Sequence, residues 1–514
     1  MFIFLIQTVK SMVVGLGLAC FLSVAQGESI DAGLFYDNFP LTLAAGERTE
    51  IAGPGFFHER NDSQLQWAMP PFWSDTRDTV IDSEEFDLLY PLLTYDRYGA
   101  EYRFQILQLF NFTGGQNQKE ETQRRFTLFP FYFQQRSPDT NLNYTALFPI
   151  YGHLIRRPLN LRDDIRFVLF PLYARTVKRD VVTENYLFPF YHQRRGTGLK
   201  GWQLWPLLGH EQKTLTYKTN LFDTVEAVGG HDKWFALWPF YFNSHTGLGT
   251  TNPAAALAII PAYARLRSPQ RDSTTVLWPF FSKIDDREKK YQEWHAPYPV
   301  VVFARGEGKT TSRVWPFFGR SHSAIQSSDF YAWPLYQQKR LQAAPLDRTR
   351  TRIFFFLYSD IIQRNTETEK SLRRVDLFPF FTFRRDYNGD QRLQVLAPVE
   401  PFLPNNKSIE RNYSPLWSLW RAEASGPTGA TSESLLWNLY RHERHAGLEK
   451  TSLLFGLFRY QSDGAETWLR LFHLPVWNQK SDQPAAQFQP LPAPAPRRPD
   501  AIAHPQYDAV SPTP

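Results

Sequence analysis

The sequence repeats one short phrase in which a proline stands inside a run of apolar and aromatic residues. Clear copies read YLFPFY at 186–191, LWPFYF at 237–242, LWPFF at 277–281, VWPFF at 314–318, AWPLY at 332–336 and LFPFF at 377–381. About 22 copies follow one another at steps of 16 to 23 residues, some with another residue in place of the proline. So regular a series predicts a repeat architecture in which each copy builds the same local structure.

One turn signal lies between neighbouring copies of this motif. Examples are RSPDTN at 136–141, RRGTGLKG at 194–201, RGEGK at 305–309, DYNGD at 386–390 and SDGAE at 462–466. Gly, Asn-Gly and Ser-Pro are typical of hairpin turns, whereas the motif places Phe, Leu or Tyr after its proline, where a turn normally has Gly or Asn. One turn per step predicts one strand per step, about 10 to 14 residues long, with the motif near its middle and neighbouring motifs antiparallel.

The same pattern argues against helices and against an open sheet. Proline about every 20 residues, without an apolar period of 3.6, disfavours helix. An open array of about 22 strands would accumulate twist and leave two edges that invite aggregation, and closure removes those edges. We therefore predict an all-β fold, a closed antiparallel repeat ring or shallow barrel of about 20–22 strands with flaring hairpins. Because proline has no N–H for a ladder, the prolines would form a belt at mid-strand where the sheet bends.

The N-terminus predicts export from the cytoplasm. An apolar run at 12–25 follows Lys10, and small residues precede Glu28, which makes 1–27 a signal peptide. The residues before Lys10 are apolar as well, so an uncleaved anchor is one alternative, and lipidation of Cys20 is another. Cys20 is the only cysteine; a mature chain without disulfides fits the periplasm or outer membrane of a Gram-negative cell.

Composition divides the remaining chain into three parts. Residues 28–64 lack the regular motif and are predicted to form an irregular N-terminal segment or cap. Residues 65–478 form the β-repeat domain. Residues 479–514 are rich in proline and are predicted to be a disordered tail.

A recurring LFPFY or LWPFY phrase in an exported all-β chain resembles the repeat proteins of the β-flower type. Those proteins have a shallow symmetric barrel with hairpin petals and an apolar centre, and they have been likened to tubby-type lipid-binding barrels. The resemblance covers residues 65–478 and rests on one short motif and its period. It implies the fold given above and a connection with lipid, and it carries over no catalytic residue; the central helix of a tubby barrel has no counterpart in this sequence.

Alternation through the motif predicts a strand that is apolar on both faces. In RFVLFPLYAR at 166–175, Phe167 and Tyr173 would share one face, and Val168 and Ala174 the other. A water-filled porin needs a polar lumen, so this pattern disfavours it. It favours one face that lines an apolar cavity or dips into a bilayer, and a core packed on both sides without a cavity is the structural alternative.

The aromatic residues of the motif are the predicted lipid contacts, and arginines that follow them are the predicted phosphate contacts. The lipid contacts are Phe188, Phe190, Tyr191, Trp238, Phe240, Trp278, Phe280, Trp315, Phe317, Phe378 and Phe380. The phosphate contacts are Arg175, Arg265, Arg384 and Arg385, in two belts near the rims of the ring. A net charge of +6 suits an anionic membrane surface but is too small and scattered for nucleic acid. The alternative is that these arginines are solvated strand ends that stack on aromatic rings.

No motif predicts catalysis, a cofactor or a metal. GEGKT at 306–310 lacks the upstream glycine of a phosphate loop, because Phe303 stands there. His442 and His445 would point to opposite faces of a strand. We therefore predict a non-enzymatic envelope protein, a lipid-binding or membrane-associated structural module with an apolar aromatic interior. An integral outer-membrane β-barrel involved in transport and a structural scaffold with a dry core are the alternatives, and the sequence identifies no protein partner.

Overall fold

The computed structural model describes most of the chain between residues 33 and 480. The described ranges are 33–116, 122–138, 143–154, 164–178, 180–219, 225–445, 447–464, 466–472 and 474–480. The predicted signal peptide, with Cys20, and all but the first two residues of the predicted tail lie outside the described residues.

The fold is all-β, as predicted, and its described strands are short and numerous. The first fifteen are β1 (Asp37–Pro40), β2 (Gly46–Ile51), β3 (Phe56–Asn61), β4 (Gln64–Met69), β5 (Trp73–Asp78), β6 (Ser83–Leu88), β7 (Leu93–Tyr98), β8 (Glu101–Ile106), β9 (Phe110–Gln116), β10 (Thr122–Leu128), β11 (Tyr132–Arg136), β12 (Tyr144–Leu147), β13 (Tyr151–Leu154), β14 (Asp164–Val168) and β15 (Tyr173–Lys178). The next fifteen are β16 (Val181–Tyr186), β17 (Tyr191–Gly196), β18 (Leu199–Leu204), β19 (Leu208–Lys213), β20 (Thr216–Thr219), β21 (Val225–Val228), β22 (Gly230–Ala236), β23 (Tyr241–Leu248), β24 (Ala254–Ile259), β25 (Tyr263–Arg267), β26 (Arg271–Val276), β27 (Phe281–Asp286), β28 (Tyr291–His295), β29 (Val301–Gly306) and β30 (Lys309–Val314). The last fifteen are β31 (Phe318–Ser323), β32 (Gln326–Tyr331), β33 (Tyr336–Ala343), β34 (Leu346–Ile353), β35 (Tyr358–Asn365), β36 (Ser371–Leu377), β37 (Phe381–Arg385), β38 (Gln391–Val395), β39 (Trp420–Ala424), β40 (Thr431–Leu435), β41 (Tyr440–His445), β42 (Leu448–Leu453), β43 (Phe458–Ser462), β44 (Glu466–Leu471) and β45 (Leu474–Lys480).

Almost all of these strands belong to one antiparallel sheet. It contains 43 strands in sequential order, and β20 and β21 form a separate hairpin between β19 and β22. Two short helices, α1 (Lys407–Asn412) and α2 (Ser414–Trp417), lie between β38 and β39. The first three strands, β1 to β3, lie in the segment predicted to be irregular, so the described part of that segment continues the sheet.

Most described copies of the motif form a turn, so the prediction that the motif crosses the middle of a strand is wrong for them; in the last copy Pro475 lies in β45 and pairs with Arg470. In the turn at 187–190 the Phe190 N–H donates to the Leu187 carbonyl over 2.8 Å, and the Phe188–Pro189 bond is cis. Tyr186 ends β16 and Tyr191 begins β17, and the two residues pair across the hairpin. A proline fits this position because its missing N–H interrupts no ladder. Each repeat therefore has two turns and two strands, which explains why the described strands are about twice the predicted 20–22.

Adjacent motif turns are joined by backbone hydrogen bonds. The Leu187 and Phe188 N–H groups donate to the carbonyls of Leu172 and Pro171 in the preceding turn, each over 2.7 Å. The proline cannot donate, but its carbonyl accepts. We call the resulting row of turns, at one end of the strands, the motif rim. The predicted Gly- and Asn-containing turns, such as those at 196–199 and 386–390, lie at the other end, which we call the loop rim.

The two faces of the sheet differ in burial. The motif turn interrupts the strand, so the prediction that Phe167 and Tyr173 share a face is wrong. Phe167 pairs with Ala174 and Tyr173 pairs with Val168 across the hairpin, and paired residues lie on the same face of the sheet. A buried cluster lies on the side of Phe167, and it contains Phe133, Tyr144, Ala146, Phe167 and Ala174. We call this side the inner face and the side of Tyr173 the outer face.

Strand pairing does not close the sheet into the predicted ring. Among the described residues β1 pairs with β2 alone and β45 with β44 alone. Instead, the inner faces of β1 and β2 meet those of β39 to β41 through side chains. The Asn438 amide donates to Asp37 and to Glu50, each over 3.1 Å, across 388 or more positions of sequence. The guanidinium carbon of Arg441 lies 3.4 Å from the ring centre of Phe39. We call this contact the seam.

Helix α1 extends the seam to β5, β6 and the turn that follows β6. Asn406 caps the helix by accepting the Ile409 N–H over 3.0 Å, and its amide donates to the Tyr90 hydroxyl over 3.1 Å. Arg411 and Asn412 are buried, and both donate to the Asp87 carboxylate, over 3.2 and 3.0 Å. These side chains hold two parts of the sheet together without shared strand hydrogen bonds.

Candidate functional site

The motif rim is an exposed apolar surface. The turn segments at 187–191, 237–241 and 277–281 contain no charged residue. Phe317 is 69% exposed and Phe380 is 60% exposed, although both belong to the apolar phrase. The other predicted lipid contacts that are exposed are Phe188, Phe190, Trp238, Phe240, Trp278, Phe280 and Trp315. Tyr191 and Phe378 are half-buried. The structure thus brings the predicted residues together on one rim, where most of them are exposed.

The aromatic rings that precede the prolines contact one another from turn to turn. Ring centres are 5.7 Å apart for Phe170 and Phe188 and 5.6 Å apart for Trp205 and Trp238. Trp315 and Trp333 are also 5.6 Å apart. These contacts make the apolar surface continuous over neighbouring repeats.

Several turns of the rim have all their main-chain donors paired. In the turn at 237–240 the Leu237 and Trp238 N–H groups donate to the preceding turn, to Leu207 and Pro206, each over 2.6 Å. The Phe240 N–H donates to the Leu237 carbonyl over 2.8 Å, and the remaining residue is a proline. An unpaired N–H in a medium without water costs several kcal/mol, about 4–8 in hydrocarbon. Turns that are paired in this way avoid that cost.

The strand ends next to the rim widen the apolar band on the outer face. Pairs across the hairpins include Val276 with Phe281 and Tyr331 with Tyr336. Val276, Phe281 and Tyr331 are exposed. Farther from the rim the outer face becomes polar, as Arg320 and Asp329 illustrate.

The four arginines predicted to contact phosphate do not form one site. Arg175 lies on β15 and Arg265 on β25, both on the outer face. Arg384 and Arg385 are neighbours on β37 and point to opposite faces. Arg384 donates to Asp386 over 2.7 Å and to Asn405 over 2.9 Å, so its charge is compensated. Arg175 and Arg265 are each the third residue of a strand that leaves the motif rim, whereas Arg385 ends β37 beside the loop rim, so the four residues do not form the two belts predicted from the sequence.

The cavities at the seam are polar. One, of about 220 Å³, is lined by Arg48, Glu50 and Arg441, and a second, of about 270 Å³, by Arg374 and Glu400. Both also include Arg392 and Arg421. None of the aromatic residues predicted to contact lipid lines either cavity. These two cavities therefore do not support the apolar aromatic interior expected from the sequence.

The charges around these cavities are paired. Glu423 accepts from Arg421 over 2.7 Å and lies 3.0 Å from Arg392. Burial acts to raise the pKa of Glu423, but the charges of Arg421 and Arg392 and the hydrogen bond from Arg421 outweigh it and lower the pKa to about 2. This carboxylate is therefore ionised at neutral pH and serves to neutralise two arginines.

One cationic group was missed in the sequence. Arg348, Arg350 and Arg352 alternate along β34, and this R-x-R-x-R pattern is the signal that could have placed them on one face. The described residues bring together no group of three His, Cys, Asp or Glu side chains that could hold a metal. His442 and His445 point to opposite faces of β41, as predicted.

No helix within the described residues is long and apolar enough to cross a membrane. No protein-family model matches the chain, and no curated protein is significantly similar to it. Function is therefore inferred from the geometry of this chain.

Proposed function

We propose that this protein is a non-enzymatic, membrane-associated module whose motif rim enters the interface of a lipid bilayer. The observation that carries the proposal is a continuous rim of exposed Phe, Trp and Leu side chains, built from turns such as those at 187–190, 237–240 and 277–280 whose main-chain donors are paired. Apolar patches of this extent on a soluble protein mark an interaction surface. Lipid is favoured over a protein partner because the rim repeats one uncharged surface and many of its turns pair all their backbone donors, as hydrocarbon requires. Trp and Tyr are also the residues that suit a membrane interface.

The energetics require several turns to insert together. Complete burial of a Phe or Leu side chain is worth about 1.5–3 kcal/mol, so a half-exposed rim residue contributes about 1 kcal/mol. Association costs about 4–15 kcal/mol in lost freedom of motion. A few aromatic residues would not offset this cost, whereas a row of similar turns does.

The proposal also includes a cellular location and a closed ring. The predicted signal peptide directs the protein to a Gram-negative periplasm or outer membrane, and the lipid surface is then one of the envelope membranes. A ring closed at the seam, as in the β-flower type, is part of the same proposal and is supported by the contacts of Asn438 and Arg441. A spanning barrel for transport is disfavoured, because outer-face residues such as Arg320 and Asp329 would face lipid.

Vesicle co-sedimentation tests the rim directly. The triple variant F240D/F280D/F317D places three charges on the motif rim and should reduce partitioning onto phospholipid vesicles by about tenfold or more, since charge is costly at the interface. The control V80D/I325D/Y387D makes the same charge change at exposed apolar residues of the loop rim. It should bind like the wild type.

Equal binding by the wild type and both variants would contradict the proposal. Carbonate extraction of cell membranes separates the alternatives. A module that docks by its rim is released, whereas an integral barrel stays in the membrane fraction.

A further inference from the structure

Three arginines stand side by side on the inner face of β34. Arg348, Arg350 and Arg352 occupy alternate positions of the strand. Residues opposite them on the flanking strands are Leu341, Lys339 and Gln337 of β33 and Gln363, Ile361 and Ser359 of β35. None of these neighbours is acidic. The row that begins at Arg352 continues through Ser359, Asp376, Thr382 and Gln394 to Arg421 of the seam, which places it on the inner face.

The positive charge of this group is uncompensated. Within the described part of the chain, no carboxylate forms a hydrogen bond or ion pair with Arg348, Arg350 or Arg352, and the Nε of Arg350 is buried without a hydrogen-bond partner. Arginines on the outer face of the adjacent strands behave differently. Arg340, Arg364 and Arg373 pair with Asp347, Glu369 and Asp360 over 2.8, 3.3 and 3.0 Å.

The pKa of Arg350 reflects this surplus of positive charge. Burial and then the charges of Arg352 and Arg348 lower its pKa, while Asp376 acts in the opposite direction. The Asp376 carboxylate already accepts from Arg374 over 2.9 Å and from Thr382 over 2.6 Å. A bound anion would supply the negative charge that the inner face of β34 lacks.

We propose that Arg348, Arg350 and Arg352 bind the phosphate of an anionic phospholipid headgroup. Guanidinium groups recognise phosphate through paired, charge-assisted hydrogen bonds, and three in a row offer several such pairs. Arg352 is followed by Ile353, the last residue of β34, and then by the motif turn at 354–357. The site therefore begins beside the motif rim. The assignment of the bound phosphate to a lipid rests on the proposed function. Free phosphate is the other source of the same chemical group.

Two matched triple variants test this site. R348Q/R350Q/R352Q removes three charges from the inner face, and R340Q/R364Q/R373Q removes three from the outer face of the neighbouring strands. Each protein is melted with and without inorganic phosphate, and is sedimented with vesicles of phosphatidylcholine alone or mixed with phosphatidylglycerol. Phosphate should raise the Tm of the wild type and of the outer-face variant.

The inner-face variant should melt higher than the wild type without phosphate, because the like charges are gone, and phosphate should not raise its Tm. It should also lose about tenfold or more of the preference for phosphatidylglycerol, since each charge-assisted hydrogen bond is worth about one decade in affinity. Its binding to phosphatidylcholine through the rim should persist.

Identical behaviour of the two variants would overturn the site. If the phosphate effect depends on the inner arginines but the preference for phosphatidylglycerol does not, the headgroup assignment is wrong and free phosphate is the ligand. If the wild type binds neither kind of vesicle while the phosphate effect still depends on these arginines, the proposed function fails and the phosphate site stands.

Discussion

Among single residues, Glu293 shows how the polar inner face is stabilised. It lies on β28 and accepts from His295 over 2.9 Å and from Lys309 over 2.7 Å. Burial acts to raise its pKa, but the two hydrogen bonds and the charges behind them outweigh burial and lower the pKa to about 2. The carboxylate is thus ionised in the folded protein at neutral pH, and it links His295 of its own strand with Lys309 of β30, two strands away.

Replacing Glu293 with Gln should make the protein less stable and less sensitive to acid. Because the folded pKa of about 2 lies below the ordinary value of 4.5, ionised Glu293 contributes stability that is present above about pH 5 and is lost as the pH falls towards 2. E293Q should lower the free energy of unfolding at pH 7 by about 2–3 kcal/mol. The difference from the wild type should shrink towards pH 2, as measured by urea denaturation at a series of pH values.

Glu307 provides the control for this experiment. Its carboxylate pairs with Lys290 over 3.0 Å but is 79% exposed. E307Q should leave the pH dependence unchanged, because exposed ion pairs add little stability. If E293Q and E307Q gave the same profiles, the role assigned to Glu293 would be wrong.

Among the strands, three repeats share a pairing of glycine with phenylalanine. Gly209 lies directly opposite Phe235, and the pairs Gly152–Phe167 and Gly319–Phe330 have the same geometry. A Cβ added at Gly209 would lie 2.1 Å from a ring carbon of Phe235. Each glycine stands three residues after a motif proline, so the ring covers the start of the strand that leaves the turn. An aromatic ring over a glycine in this way fixes the register of the hairpin.

Alanine at Gly209 should therefore destabilise the sheet. G209A forces the Phe235 ring out of its position, and overpacking of this kind costs about 1–3 kcal/mol. The control is G201A on the adjacent strand, where the new Cβ would lie 3.1 Å from Cγ and 3.3 Å from Cα of Glu211, so that the neighbour has much less distance to give than the Phe235 ring. Chemical denaturation should show a much smaller loss for G201A. Adding F235L to G209A should restore part of the stability, and equal losses for the two single variants would contradict this account.

For the whole molecule, the seam determines how the long sheet meets itself. The strands alone form a ribbon with two unpaired ends, β1 and β45, within the described residues. Arg411 is only 8% exposed and joins α1 to Asp87 of β6, which is 2% exposed. Asn412 donates to the same carboxylate over 3.0 Å. The seam is thus a small, buried polar network, and each member depends on the others for its charge balance or hydrogen bonds.

Replacing Arg411 with Met should open the seam. Removing one partner of a buried ion pair leaves the other charge uncompensated, which costs about 3–5 kcal/mol. Hydrogen exchange should accelerate at residues 85–87 and 406–413 while strands distant from the seam keep their protection. The control R364M removes an arginine whose side chain is 54% exposed. It should change neither the stability nor the hydrogen exchange at the seam. Faster exchange throughout the sheet, or none at the seam, would show that Arg411 does not hold these parts together.

The repeat, the all-β class, the antiparallel order and the turns of the loop rim could be predicted from the sequence. These follow from local chemistry, because Gly and Asn at 196–199 and 386–390 specify turns without help from distant residues. The sequence also identified the aromatic residues of the rim, since every copy of the motif displays them. The alternation of Arg348, Arg350 and Arg352 was readable in the same way.

The conformation of the motif and the place where the sheet meets itself could not be predicted in this way, because both depend on contacts between distant residues. Motif turns are joined by hydrogen bonds between neighbouring turns, such as the bond from the Leu237 N–H to the Leu207 carbonyl. The residues of the phrase at 237–241 alone do not reveal this partner, which lies 30 positions earlier. The seam joins Asn438 to Glu50 across 388 positions, and no periodic pattern encodes such a contact. The lack of acidic partners around Arg350 likewise depends on which strands become its neighbours. Interactions within a few residues are written in the sequence, whereas pairings across repeats arise only when the whole sheet has formed.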